Sequence, residues 1–184
     1  MRRPATRLAA VVLMSALVLA GRPAAAQEPP AARAQDVESI DAIIAALYDV
    51  ISGPAGQARD WPRFHSLFVP GARLIPTGVR ENEVRHRMMT PEEYAASSGP
   101  VLEERGFFER EIGRTTERFG NIAHVFSAYD SKRTADDPEP FARGINSIQL
   151  LHDGTRWWVV TIFWDSERAG NPIPPTYLGR DGGS

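Results

Sequence analysis

Apolar positions along the chain follow two different periods. Val37, Ile40, Ile44, Leu47 and Ile51 fall at steps of three and four, the spacing of one helix stripe. Asp36 precedes the stripe as an N-cap, and Ser52-Gly53-Pro54 ends it. Tyr48 lies beside the stripe. Asp60 caps a second, short helix with Trp61, Phe64, Leu67 and Phe68 on its buried face and Pro70-Gly71 at its end. Arg73 to Thr77 predicts a short strand, and 79–89 an irregular, charged strand or loop. Thr90-Pro91-Glu92-Glu93 forms a capping box with Pro at the first helical position. The helix it opens turns Tyr94, Val101 and Leu102 inward. Gly99-Pro100 predicts a kink or a division into two short helices, and Gly106 ends the segment.

The period then changes to two. Strands are expected from Phe107 to Phe119 and from Asn121 to Lys132, turning near Gly120-Asn121. In the first strand Arg110, Arg114 and Arg118 share one face, while Glu109, Glu111 and Glu117 share the other. That pattern predicts a solvated cross-strand ladder. The last pair runs from Arg143 to Glu167 and turns at Asp153-Gly154, a two-residue hairpin signal. Alternation in its second strand assigns Arg156, Trp158, Val160, Ile162 and Trp164 to one face. Trp157, Val159 and Phe163 fall on the other. Both faces are mostly apolar, so both are expected to be covered, one by the chain's own helices and one by a second layer or subunit. Asn146 and Gln149 are amides in an apolar setting and need partners. Helices followed by long antiparallel strands give an α+β class, with the helices on one side of a curved sheet.

Composition places this domain in a compartment. Arg2, Arg3 and Arg7 precede an apolar run from Leu8 to Ala20, and Ala24 and Ala26 form an A-x-A site. Residues 1–26 are therefore expected to be a signal peptide, with export to the periplasm or exterior of a bacterium. Residues 27–35 follow as an Ala/Pro-rich tether, 36–168 as the folded domain, and 169–184 as an extended Pro/Gly-rich tail anchored by Ile173, Tyr177 and Leu178. Cleavage removes Arg2, Arg3, Arg7 and Arg22 and no acid, taking the net charge from −2 to −6. Nucleic acid is then not an expected partner, nor is a membrane after cleavage. The absence of Cys excludes disulfides and thiolate chemistry.

His65, His86, His124 and His152 lack the spacing of metal ligands, and no phosphate-binding, dinucleotide or nucleophile-elbow motif occurs. Neither a metal nor a cofactor is expected.

The element order, the Leu67-Phe68-x-Pro70-Gly71-Ala72-x-Leu74 segment after the second helix, and the closing hairpin resemble the nuclear-transport-factor-2-like superfamily over Val37 to Glu167. This group includes ketosteroid isomerase, scytalone dehydratase and SnoaL-like polyketide cyclases. The resemblance implies a cone-shaped cystatin-like α+β roll: three N-terminal helices packed into a strongly curved antiparallel sheet, with a pocket at the open end. It also implies a homodimer formed through the outer sheet face. Matched position by position, the isomerase's base falls at Pro76, which has no carboxylate. Its oxyanion-hole acid falls at Asn146, and Tyr48 is nearest to its oxyanion-hole tyrosine. The match argues against isomerase chemistry and turns Asn146, Ile148 and Leu150 toward the pocket.

The leading expectation is an exported domain that binds a small hydrophobic molecule. Its site would comprise Asn146, Tyr129, Tyr48, Ile148, Trp158 and Trp164. The alternatives are an isomerase, dehydratase or cyclase with His65 or His124 as base and Asn146 as oxyanion donor, and a protein-interaction scaffold using the acidic loop and tail.

Overall fold

The computed structural model describes residues 30–178. The signal peptide, most of the tether and the Gly182-Gly183-Ser184 end lie outside the described residues. The order is α1 (Ala34–Val37), α2 (Ile40–Ile51), α3 (Trp61–Ser66), β1 (Phe68–Arg80), β2 (Glu83–His86), α4 (Pro91–Arg105), β3 (Phe108–Phe119), β4 (Ile122–Lys132), β5 (Ala142–His152) and β6 (Trp157–Ser166). A 3₁₀ turn, Pro175–Tyr177, follows. The six strands form one sheet in the order β2-β1-β6-β5-β4-β3. Only the β1–β6 pairing is parallel. The core lies between this sheet and α2 and α3, and centres on Ile43, Ile44, Phe64, Leu67, Phe68, Val125, Ile148 and Val159.

The first stripe divides. Ser39, not Asp36, caps α2, its hydroxyl accepting from the Ala42 N–H at 3.0 Å. Asp36 sits in the short α1 and is only 4 % exposed. It receives two hydrogen bonds from Arg63 on α3, Nε to Oδ2 at 2.7 Å and Nη2 to Oδ1 at 2.9 Å. Arg63 also reaches Asp49 at the end of α2. Asp60 does cap α3, accepting from the Arg63 N–H. Pro70-Gly71 does not stop that helix. It lies inside β1, at a register irregularity between Phe68 and Arg73, where Gly71 takes φ 86°. The capping box at Thr90 and Glu93 is present. The helix continues through Gly99-Pro100 as one element, with Gly99 packed so closely on Trp61 that a Cβ would come within 2.9 Å of Cζ2. Leu102 is buried; Val101, expected inward, is exposed.

Arg59 was not singled out by any pattern, yet it ties two helix ends together. Its guanidinium is buried and donates to the carbonyls of Ile51 and Gly53 after α2, Gln57 in the loop, and Leu102 on α4.

Two β-bulges decide which side chains point inward. In β3 the register shifts between Glu111 and Gly113, leaving Ile112 extra. Glu109 and Glu111 face the helices before the bulge, and Arg114 faces them after it. The solvated ladder of alternating charges is thus not formed: Arg110 pairs outward with Asp130, while Arg114 reaches Asp41 on α2. In β6 the shift falls at Val160, between the pairs Gln149↔Thr161 and Leu150↔Val159. Trp157 and Val159 therefore share the inner face with Ile162 and Trp164, and Trp158 turns outward. The turn before β6 is also wider than Asp-Gly alone predicts. His152 pairs with Trp157, and the Asp153 carboxylate accepts from the N–H groups of Thr155 and Arg156.

The tail supplies part of the outer layer. Ile173 is buried, its N–H donating to Glu167 at 2.9 Å, and the Tyr177 ring packs 5.1 Å from Phe126.

The Arg63 hydrogen bonds hold the Asp36 carboxyl below its ordinary range. Their stabilisation is present at neutral pH and is lost as pH falls through that depressed value. Arg63→Met should lower the unfolding free energy by about 3 kcal/mol, because it strands a buried charge. Adding Asp36→Asn should restore part of the loss. Urea titrations of the three proteins at pH 7 measure both effects.

Candidate functional site

Between α2, α4 and the inner face of the sheet lies a cavity of about 120 Å³. Leu47, Ile51, Leu74, Ile148 and Ile162 provide aliphatic wall, and Phe64, Tyr94, Phe107 and Trp164 aromatic wall. Tyr48, Tyr129, Asn146 and Glu109 bring the polar groups. Strand register explains their meeting. Asn146 on β5 stands opposite Ser127 on β4 and Trp164 on β6, and Tyr129 on β4 stands opposite Glu111 and Gly144. Gly144 has a specific reason to lack a side chain: a Cβ there would lie 2.5 Å from Tyr129 Oη.

The inner face of β4 carries three hydroxyl residues, Ser127, Tyr129 and Ser131, all buried. Each finds a partner. Ser127 Oγ donates to Glu111 Oε1 at 2.6 Å. Its single proton is then committed, so the 2.7 Å contact with Tyr48 has the phenol donating to Ser127. Asn146 Nδ2 donates in turn to Tyr48 Oη at 3.1 Å. The series runs one way, from Asn146 through Tyr48 and Ser127 to Glu111. Tyr48 therefore has no proton left for a ligand and acts there as an acceptor. Ser131 Oγ donates to Glu109 Oε2 at 2.8 Å.

Glu109 is the most perturbed acid of the cavity. Burial pushes its carboxyl up to about 7, outweighing the hydrogen bonds from Ser131 and Asn146 that favour the charged form. Burial likewise raises the phenols of Tyr48 and Tyr94, and takes Tyr129 up to about 12. All three stay protonated at neutral pH.

Of the residues singled out in the sequence, Tyr48, Tyr129, Asn146, Ile148 and Trp164 line this cavity. Three others lie elsewhere. Trp158 is on the outer face because of the Val160 bulge; its Nε1 donates to Asp153 and Arg156 stacks 3.5 Å over its ring. His124 is also on the outer face, 2.8 Å from Ser147 Oγ. His65 sits on α3 against Phe64, its Nε2 buried without a partner. Pro76 pairs with Trp164 at the β1 edge and supplies no acid. The cavity's carboxylate comes instead from β3. Glu109 was missed because strict alternation made it one of a row of surface charges. The signal that finds it is the buried hydroxyl row on β4, which requires acceptors from the strand beside it. Among the described residues, no group of three or more His, Asp or Glu is arranged to hold a metal.

The fold is a cystatin-like α+β fold. A protein of unknown function with a cystatin-like fold from Nostoc punctiforme superimposes with a TM-score of 0.53 at 11 % identity, covering 71 % of this chain and 90 % of that one. A nuclear-transport-factor-2-like protein of unknown function from Silicibacter pomeroyi gives 0.48 at 17 % identity, covering 71 % and 94 %. A superfamily protein from Salmonella enterica gives 0.48 at 14 % identity, covering 80 % and 93 %. No family model and no curated protein matches the sequence.

The raised Glu109 carboxyl has a measurable sign. Between pH 4.5, its ordinary value, and about 7 the folded protein holds a proton that the unfolded chain has released. Stability from this group is present at low pH and is lost as pH rises through that window, by at most on the order of 3 kcal/mol. Glu109→Gln removes the dependence. The gap between the urea midpoints of variant and wild type should widen from pH 4.5 to 7 and then level off. Parallel curves would contradict the raised value.

Proposed function

We propose that this domain binds a small, largely apolar molecule in the cavity, with one polar group of that molecule turned toward Glu109 and Asn146. The observation that carries the reading is the segregation of the lining. Aliphatic and aromatic side chains make most of the wall, and the polar groups converge from α2, β3, β4 and β5 on one end. Such a cavity has the usual make-up of a ligand site: apolar walls for affinity and a few fixed polar groups for orientation.

A second reading, proton transfer on a bound carbonyl compound, is favoured by Glu109 itself. A carboxyl near 7 inside an apolar enclosure is matched to act as a general base at neutral pH. Asn146 would supply the hydrogen bond to the developing oxyanion. In this reading Glu109 replaces His65 and His124, neither of which lines the cavity.

Export by the N-terminal segment and homodimerisation belong to the same proposal. The first is supported by the charge and apolar pattern of residues 1–26. The second is supported by Phe163 and Val84, 46 % and 74 % exposed, beside the groove that the tail leaves on the outer face.

A thermal-shift screen of small ketones and phenols tests the main reading. At concentrations about a hundredfold above Kd, a true ligand adds ~2.7 kcal/mol of stability and raises Tm by several degrees. Asn146→Leu should abolish most of that rise for oxygen-bearing ligands. No shift in either protein would count against a ligand site. Deuterium exchange at the α-carbon of a bound ketone, lost in Glu109→Gln, would select the catalytic reading.

A further inference from the structure

The cavity contains an acid and lacks a base. Glu109 forms no ion pair among the described residues; its carboxyl is met only by neutral donors, Ser131 at 2.8 Å and Asn146. The titratable groups acting on it or feeling it are Tyr48 from α2, Tyr94 from α4, and Tyr129 and Asp130 from β4; Glu111 shares its face of β3. All are phenols or acids. The nearest arginines in sequence are engaged elsewhere, Arg110 outward with Asp130, and Arg114 with Glu111 and Asp41. An ionised carboxylate alone in an apolar enclosure is costly and resolves the cost by taking a proton. A bound cation is the other resolution.

The walls suit one kind of cation. Tyr94, Phe107, Tyr129 and Trp164 line the space. Tyr94 and Trp164 meet edge to face, their ring centroids 6.3 Å apart at 86°. Aromatic enclosures attract cations, and most clearly those whose charge is spread over methyl groups. A methylated ammonium gives up little hydration on entry and needs few or no acceptors. A primary ammonium holds its hydration more tightly and needs three acceptors grouped around it, whereas most of this wall is aliphatic and aromatic. At about 120 Å³ the cavity is somewhat smaller than the ~150 Å³ site that takes benzene, which suits a tri- or tetramethylammonium group. Tyr48 adds a lone pair rather than a proton at the same end, since its own proton is committed to Ser127.

We propose that the cavity is a receptor for a small methylated ammonium group, with Glu109 as its counter-ion and Tyr94, Tyr129 and Trp164 among its aromatic walls. The proposal rests on the ligand-binding reading above and names the ligand's chemistry. It requires the charged form of Glu109. Below pH 7, binding displaces the carboxyl proton; above it, no proton moves.

Titration calorimetry of the wild-type protein with tetramethylammonium chloride, at matched total chloride, tests this. Binding at pH 8 should be at least tenfold tighter than at pH 5.5. At pH 6, heats measured in buffers of different ionisation enthalpy should show close to one proton released per cation bound. Glu109→Gln should weaken the cation at least tenfold at pH 8. Tert-butanol, a neutral probe of similar size, should bind the wild type at least tenfold more weakly than the cation at pH 8. If the variant does not fold, proton release by the wild type decides alone. Tert-butanol binding as tightly as the cation, or cation binding with no proton release at pH 6, overturns the ammonium assignment and leaves the neutral-ligand reading standing. Silence from the cation also overturns it, and the ketone and phenol screen then decides separately whether the cavity binds anything.

Discussion

A sheet that curves around a helix cannot keep every strand in simple alternation. The two bulges, at Ile112 and Val160, are where this chain meets that constraint. An extra residue bends the strand and reverses which side chains point inward beyond it. Before the Ile112 bulge β3 sends two glutamates to the helix side; beyond it, an arginine follows them. Before the Val160 bulge β6 gives Trp157 and Val159 to the core; beyond it, Ile162 and Trp164. Without these two insertions Arg114 would face outward, Trp158 would displace Trp157, and the cavity would have different walls.

The hydroxyls of the concave face are tolerated because each has a partner, whereas Arg114 Nη1, buried on the same side, has none. An unsatisfied buried hydroxyl costs roughly 1–3 kcal/mol, and the β4 row holds three. Tyr48, Glu111, Glu109 and Ser166 take up their hydrogen-bonding capacity. Arg59 solves a similar problem at the helix ends. A helix leaves its last carbonyls unpaired, and one guanidinium gathers carbonyls from the end of α2, the following loop and α4. Among the described residues it forms no ion pair, so peptide dipoles meet most of its charge, with Glu103 acting from farther away. Packing on the inner side therefore depends on a small number of multiply bonded side chains as well as on apolar area.

Much of the fold was legible from periodicity. The stripe of α2, the capping box at Thr90 and the long strands after Gly106 are strong signals that tertiary packing does not override. What escaped was local and geometric. A bulge leaves little trace in composition, and both of the present ones fall among residues that alternate well on paper. The same omission hid Glu109 among surface charges and turned Trp158 toward the cavity. Asp153-Gly154 looked like a two-residue turn because the Asp side chain, which organises a wider loop, has no signature distinct from the turn itself. Arg59 was silent because its partners are backbone carbonyls, which any sequence would provide. Asn146, by contrast, was found: an amide among apolar neighbours on a strand must be accounted for, and it donates to Tyr48.

The one-way series of donors from Asn146 to Glu111 does not stop at the carboxylate. Glu111 lies 3.5 Å from Arg114, and Arg114 reaches Asp41, whose side chain is 83 % exposed. Hydrogen bonds in series polarise one another, whereas an exposed ion pair is weakened by dissolved salt within a Debye length. The floor of the cavity is thus joined, through hydrogen bonds and ion pairs, to the bathing electrolyte. Ionic strength, which ordinarily acts only on surfaces, has here a route to the lone pair that Tyr48 offers inside.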